Sequence, residues 1–507
     1  MGAMTDQPLT FGTAGLRGPM RPGPGGMNVD TVTTATWALA KVLKDRCLGG
    51  STVVVGRDAR HNSDDFALAT AEVLAAEGFT VVLLPDPAPT PVVAFAVRRM
   101  GAAAGVQITA SHNPPTDNGY KVYLDGGMQI VPPTDRDIET AMSNAPAEVP
   151  RDEVMPATTD LMNDYVRRAA TVRRATGDVR IALTALHGVG GEPALLTLRE
   201  AGFTDVHVVT EQYSPDPDFP TVAFPNPEEP GATDLLLTLA AEVEADVAIA
   251  LDPDADRCAV GIPTPSGWRM LSGDETGWLL GDYILSQIEP GDVMNGCVVA
   301  STVVSSRLLA AIAARHGAHH VETLTGFKWL ARADAGVAGR TLVYAYEEAI
   351  GHCVDPAAVR DKDGISAAVL ACDLVSALRD EGRTPTDALD ALARCHGVHT
   401  TTAMSVPADA ALMDRLRESP PARLGGEPVE VTDLLARRGQ QRTDALIYTG
   451  ESVRVAVRPS GTEPKVKAYL EIRLLPRDDL SGARTVADEL VDRLRVDVLE
   501  LLQRGPN

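Results

Sequence analysis

Thr109-Ala110-Ser111-His112-Asn113-Pro114-Pro115, with Asp117-Asn118-Gly119-Tyr120-Lys121 close behind, follows an apolar run from Ala102 to Ile108. The run reads as a buried strand. Asn-Pro-Pro cannot prolong it, so Ser111 is predicted in a tight loop at a strand end. Open α/β sheets bind their ligands at that end of the strands. Ser and Asn are also ordinary turn formers, so this loop gains its meaning from the others along the chain.

Upstream, Phe11-Gly12-Thr13-Ala14-Gly15-Leu16-Arg17-Gly18 is a Gly-rich loop whose amides can approach a phosphate while Arg17 supplies charge. Between the two loops the pattern predicts a helix from Val29 to Lys44, then a strand from Thr52 to Val55 that ends in Gly56-Arg57-Asp58-Ala59-Arg60. A helix from Asp64 to Glu77, a strand from Thr80 to Leu84 and a helix from Pro91 to Met100 follow. Such alternation implies a mainly parallel sheet.

Acidic, Pro-containing sequence from Pro146 to Thr159 reads as a linker, after which the alternation restarts. Its second round ends in a strand from Ala245 to Leu251 that runs into Asp252-Pro253-Asp254-Ala255-Asp256-Arg257. A third round begins near Glu275, with strands at Cys297 to Ala300, Ala318 to Glu322 and Thr341 to Tyr346. Three βα units of similar size point to an internal structural repeat. From about Arg394 the pattern turns to short alternating segments and a closing amphipathic helix, Gly482 to Leu502, as in a smaller α+β domain. The predicted domains are 1–156, 157–272, 273–393 and 394–507.

With 46 basic and 69 acidic residues the chain carries a formal charge of −23. So acidic a surface repels nucleic acid and anionic lipid, and a phosphate ligand must be drawn by a local Arg and Lys cluster. Nucleic acid and membrane are therefore not expected as partners. No apolar run reaches the roughly 18 residues that span a bilayer. The six cysteines are dispersed, without metal-ligand or redox spacing, and read as reduced, mostly buried thiols of a cytoplasmic protein.

Asp252, Asp254 and Asp256 alternate after a buried strand, so their carboxylates can converge on one hard cation, and oxygen-only ligands suit Mg²⁺. A calcium loop of the EF-hand type is excluded, because Arg257 and Pro263 stand where it needs Gly and Glu. Arg458-Pro459-Ser460-Gly461-Thr462-Glu463-Pro464 offers a guanidinium, hydroxyls and amides that can wrap a phosphate, with Lys465 and Lys467 adding positive potential. Tyr346-Glu347-Glu348-Ala349-Ile350-Gly351-His352 puts carboxylates at a strand end, suited to sugar hydroxyls. Arg360-Asp361-Lys362-Asp363-Gly364 brings cations to the same region.

Taken together and in this order, these loops resemble the α-D-phosphohexomutase superfamily, over essentially the whole chain. The resemblance implies four domains around a central cleft, three α/β and a last α+β, acting on a small phosphosugar as a monomer or homodimer. It implies a phosphoserine at Ser111, with Mg²⁺ held by its phosphate and by Asp252, Asp254 and Asp256, and a sugar bisphosphate as activator. Arg17 and Arg257 are expected to steady the transferring phosphoryl group, and His112 or Lys121 to move the hydroxyl proton. Arg458, Ser460, Gly461 and Thr462 are expected at the idle phosphate, and Glu347, Lys328, Thr325, Gly326 and Lys362 at the sugar.

The family's phosphoglucomutases carry Glu-x-Ser in the sugar loop, but this chain has Ala349 at the Ser position. That feature, with Thr325-Gly326-Phe327-Lys328-Trp329, brings it closer to the branch containing phosphopentomutases. The expected activity is a phosphomannomutase/phosphoglucomutase-type phosphosugar mutase, an isomerase; phosphopentomutase is the alternative. A metal-dependent phosphatase and a non-catalytic phosphosugar binder are the readings from other classes. The last domain is expected to hinge, since one cleft must take the sugar in two orientations.

Overall fold

Ala104–Ile108 and Val247–Leu251 are buried at every position, the pattern of strands covered on both faces. In the computed structural model, which describes residues 7–12, 15–407, 411–460 and 465–503, they occupy equivalent places in two sheets built to one plan. In each of the first three sheets the first strand of a parallel trio lies between the other two. The central strands are Thr52–Arg57, Ile181–Thr184 and Cys297–Thr302, flanked on one side by Thr80–Leu83, Val206–Val208 and His319–Thr323. On the other side lie Ala104–Ile108, Val247–Leu251 and Thr341–Glu347. The repeat predicted from the sequence is therefore one of topology.

The expectation of mainly parallel sheets needs correction beyond these trios. The third strand of each returns through a short loop into an antiparallel partner: Asp117–Leu124, Cys258–Thr264 and Gly351–Cys353. Leu16–Pro19 and Met128–Gln129 in the first sheet and Gly267–Met270 in the second are antiparallel too. A parallel crossover needs a dozen or more residues, and the loops 109–116, 252–257 and 348–350 are too short for one. These three loops hold Ser111, the aspartate triad and the residues after Glu347. Each turns through one left-handed residue: Ser111 (φ 52°), Ala255 (φ 53°) and Ile350 (φ 54°).

Local chemistry fixes the helices that frame them. The Asp363 carboxylate accepts the Ile365 and Ser366 amides, both at 3.1 Å, and so caps Gly364–Asp380. Tyr165 donates to the same oxygen at 2.6 Å, anchoring the cap and Lys362 beside it. A Ser272/Glu275 capping box starts Gly273–Ser286. Residues 146–160 form no helix or strand, but the Asp152 and Ala157 amides bond to Glu72 and Leu83 carbonyls and lay the predicted linker on the first domain.

One apolar core runs through the first three sheets, joining Val54 and Phe95 to Ile249 and to Val299 and Ile365. The fourth sheet is antiparallel throughout, in the order Val398–Pro407, Lys465–Leu474, Val453–Pro459, Leu446–Thr449, Glu430–Asp433. It packs against Leu480–Gln503 around a core of its own, which is the predicted α+β close. All six cysteines are free; four are buried, while Cys47 and Cys395 are exposed. Among the described residues no helix is long and apolar enough to cross a membrane.

Candidate active site

The loop after Val247–Leu251 sits where the first three domains meet. Thr90 of the first domain donates its amide to the Asp254 carbonyl at 2.9 Å, and Gly364 of the third donates to the Ala255 carbonyl at 3.1 Å. Cys258 bonds the Ile350 carbonyl at 3.1 Å and Arg257 bridges to Gly351, so this loop is also tied to the sugar loop. Gly364 is required by this contact, because a Cβ there would lie 2.4 Å from the Arg257 carbonyl oxygen.

Asp252, Asp254 and Asp256 are all fully buried, and one oxygen from each lies within 4.8 Å of the others. Ser111 Oγ donates to Asp252 Oδ2 at 2.9 Å, which brings the predicted nucleophile to the triad across a domain boundary. Lys121 Nζ donates to Asp254 Oδ2 and Asp256 Oδ2, both at 2.7 Å, and Thr90 Oγ1 adds a bond to Asp254 at 2.5 Å. Lys362 Nζ lies 3.2 Å from Asp256. The Oδ1 atoms of Asp254 and Asp256 are buried without a hydrogen-bond partner. A carboxylate oxygen is left so rarely in native proteins, and a hard, oxygen-seeking cation fits these two atoms together with Asp252.

Three buried acids within such a distance cannot all ionise alike. Burial, reinforced by Asp254 and Asp256, pushes Asp252 well above the carboxylate range. Burial also works against Asp254, but attraction and a hydrogen bond from Lys121 outweigh it and hold Asp254 down. The two aspartates in turn outweigh burial at Lys121 and raise it. His112, whose Nδ1 is 3.2 Å from Ser111 Oγ, is held well below its ordinary value by burial and by the Arg257 and Arg17 cations. Arg17 reaches the loop through Asn113 Oδ1 at 3.1 Å.

Glu347 is buried, and burial raises it against the pull of Lys362 and Arg257. Arg257 has its Nη1 3.8 Å from Glu228, an exposed carboxylate at the mouth of the cleft. Beyond them opens a cavity of about 770 Å³ between the second, third and fourth domains, lined by Glu228, Glu348, Ala349, Ser405, Lys467 and Tyr469 among others. Arg458 donates to the Tyr469 hydroxyl at 3.1 Å, so the predicted phosphate loop starts beside this cavity. Ser460 bonds back to Lys465; Gly461 and Thr462 lie outside the described residues.

The structure thus gathers Ser111, His112, Lys121, the triad, Arg257 and Lys362, with Arg17 one residue removed. Lys328 lines instead a small cavity with Gly12, Gly15, Gln129 and Asp135. Gly326, left-handed at φ 102°, precedes Phe327, over whose ring the Lys362 ammonium lies at 5.5 Å; Thr325 is half-buried. Sequence reasoning missed Thr90 and Glu228, which come to the site through space from helix and loop segments without a motif. Glu348 stood inside a quoted motif without a role, yet it accepts from Thr302 and Ser305 at 3.0 Å and lines the large cavity.

Models of phosphoglucomutase/phosphomannomutase α/β/α domains I, II and III match residues 8–148, 163–264 and 272–395, and the model of the C-terminal domain matches 422–479. The chain belongs to the phosphoglucomutase/phosphomannomutase family. A Haemophilus influenzae family member named "Probable phosphomannomutase" is 41% identical over 480 residues, covering 91% of this chain and 96% of the relative. The Mus musculus phosphopentomutase is 35% identical over 540 residues, covering 95% and 87%. A Burkholderia thailandensis phosphoglucomutase/phosphomannomutase family protein shares the fold at a TM-score of 0.75 and 20% identity, over 98% of both chains. The relatives named mutases place this family member among the phosphomutases, which are isomerases.

Proposed function

We propose that the chain interconverts a sugar 1-phosphate and the phosphate of the same sugar's terminal hydroxyl through a phosphorylated Ser111. The observation that carries this reading is the 2.9 Å bond from Ser111 Oγ to Asp252, which sets a hydroxyl against three buried carboxylates on a second domain. A binding protein has no use for that pairing. Hydrolysis by a two-metal route needs a second cation site, and among the described residues only one group of acids is placed to hold a metal ion.

In the forward step the Ser111 Oγ–P bond breaks as a bond forms from phosphorus to the free sugar hydroxyl; the sugar hydroxyl gives up its proton to a base, and the departing Ser111 oxygen takes up a proton. The product is a sugar bisphosphate, which turns within the cleft and returns its other phosphoryl group to Ser111. A trace of the same bisphosphate would load the resting enzyme. Asp252, Asp254, Asp256 and the Ser111 phosphate would hold Mg²⁺, which when bound neutralises charge on the transferring group.

The proton has two candidate acceptors, and geometry separates them. Lys121 is committed to two carboxylates at 2.7 Å and acts as a fixed cation. His112, 3.2 Å from Ser111 Oγ, would move a proton at the Ser111 oxygen as it leaves and is rephosphorylated. Arg17 and Arg257 flank the phosphoryl group; Arg458, Ser460 and the residues that follow would take the idle phosphate. Glu347 and Lys362 would read the sugar.

Hexose phosphates are the primary substrates in this reading. A second reading, ribose or deoxyribose phosphate, rests on Ala349 in the sugar loop and on the relatives named phosphopentomutase. Turnover of glucose, mannose and ribose 1-phosphates, measured in parallel with Mg²⁺ and the matching bisphosphate, decides between them. Ser111→Ala is expected to lower turnover by about 10³-fold or more while the melting temperature holds, by analogy with removal of other nucleophiles. Substantial mutase activity in that variant excludes the phosphoserine.

A further inference from the structure

We infer that Arg60 is a positioning residue for phosphoryl transfer, acting through the backbone of the Ser111 loop; this rests on the proposed role of Ser111. Arg60 ends the Gly56-to-Arg60 segment after the Thr52–Arg57 strand, and its side chain is 1% exposed. Its guanidinium runs beneath the loop and donates to four main-chain carbonyls. Nη2 bonds Ser111 O at 2.6 Å and Asn113 O at 2.7 Å; Nη1 bonds Pro114 O at 2.8 Å and Asp117 O at 3.3 Å.

An irregular loop has no ladder in which to pair its carbonyls, and buried carbonyls must be paired. A rigid planar fork meets an arc of such acceptors in a way that the point charge of an ammonium does not. The fork is itself held on two sides. Asp58 Oδ2 lies 3.3 Å from Nε, and Asp58 is fixed by Ser63 Oγ at 2.6 Å and by the Arg60 amide at 3.0 Å. The Phe219 ring of the second domain stacks on the guanidinium at 5.0 Å, next to a His61–Asp218 contact of 2.7 Å across the same boundary.

What this clamp holds is a strained residue. Ser111 is left-handed, which a non-glycine residue keeps only where its surroundings impose it. Thr109 Oγ1 takes the Ser111 amide at 2.9 Å while Arg60 takes the Ser111 carbonyl, so the residue is gripped from both sides. Its hydroxyl is thereby aimed at Asp252. Arg60 also sets a buried positive charge beneath a loop that must carry a phosphate dianion beside three carboxylates.

The test is single-turnover transfer to glucose 1-phosphate from full-length protein loaded with glucose 1,6-bisphosphate, with Ser111 phosphorylation followed by intact-protein mass. Arg60→Lys is expected to slow the transfer roughly 100-fold, the cost of misplacing a reacting group by about 1 Å, with KM for the sugar phosphate within about threefold of the parent. Phe219→Leu, which loosens the clamp from the other domain, is expected to slow it by ~3–10-fold, also without a change in KM. Should Arg60→Lys fail to reach the parent's melting temperature, Phe219→Leu decides. Parent-like transfer in the folded Arg60→Lys protein, or in Phe219→Leu when it decides, overturns the positioning role alone. Absence of phosphate on Ser111 in the loaded parent overturns the phosphoserine reading, and this inference with it.

Discussion

The first three domains meet through one continuous apolar core, whereas the fourth meets the third through a small buried patch and a few charged contacts. The patch sets Val303 and Val304 against Leu434, Ala445, Ile447 and Ala456. Beside it the Glu471 carboxylate takes Ser306 Oγ at 2.7 Å, the Arg307 amide at 2.9 Å, Arg307 Nε at 2.7 Å and a His399 ring nitrogen at 2.8 Å. Arg454 adds Glu322 at 2.9 Å. At the other end of the cleft the loop of Asp252, Asp254 and Asp256 is bonded by backbone to both neighbouring domains. The difference matches two demands. Under the proposed function, phosphoryl transfer tolerates errors of only a fraction of an ångström, while recognition of a sugar that turns around calls for a domain that can release and re-engage.

The sharpest way to break this comparison is to remove the cation from the rigid end. Chelation of divalent metal is expected to lower turnover by roughly 10²–10³-fold, reversed by Mg²⁺, with the fourth domain unaffected. Activity that survives chelation would make the triad a structural ion-pair cluster and not a reaction centre.

Glu471→Ala tests the other end. It leaves Arg307 and His399 facing a buried gap, and breaking such a pair from one side costs about 3–5 kcal/mol. Thermal unfolding is expected to split into two transitions, the fourth domain melting first, while KM rises by about tenfold and kcat changes far less. A single unshifted transition would show that the fourth domain is as firmly joined as the rest.

The smallest expected effect is a pH dependence at the same seam. Burial opposes the Glu471 charge, but His399, Arg307 and Ser306 prevail and hold it at about 2, below its ordinary 4.5. Its contribution is therefore present above about pH 4.5 and lost as pH falls towards 2. Asp274, which accepts from the Ser306 amide and the Tyr346 hydroxyl, is pushed by burial up to about 7. A raised carboxyl costs stability once ionised, so its cost is absent below 3.8 and complete above about 7. Between pH 5 and pH 8 the parent is expected to lose about 2–4 °C more in melting temperature than Asp274→Asn. Equal losses would remove Asp274 from the seam's energetics.

The parts of the fold that the sequence made legible are those written in contiguous residues. Apolar runs such as Val247–Leu251, buried on both faces, announced the parallel strands, and the aspartates that follow announced a buried group of acids placed to hold a cation. The antiparallel returns were missed because Gly351–Cys353 and its like have no periodicity of their own; loop length alone dictates them. Arg60 was visible as a residue of the Gly56-to-Arg60 turn but not as a clamp, since its acceptors lie some 50 positions away. The surroundings of Lys328 were hidden for the same reason: it lines a small cavity with Gly12, Gly15, Gln129 and Asp135, while the ring of its neighbour Phe327 lies under the Lys362 ammonium at 5.5 Å.

The dependence of the metal loop on Thr90 and Gly364 also sets a schedule for synthesis. A chain leaving the ribosome at about 5–20 residues per second exposes Ser111 from about a quarter of a minute to most of a minute before Gly364 appears. Throughout that interval the serine has no completed carboxylate cluster beside it. Under the proposed function, a chain that ends before Gly364 is therefore not expected to take phosphate at Ser111, because the loop that carries the aspartates lacks its third-domain partner.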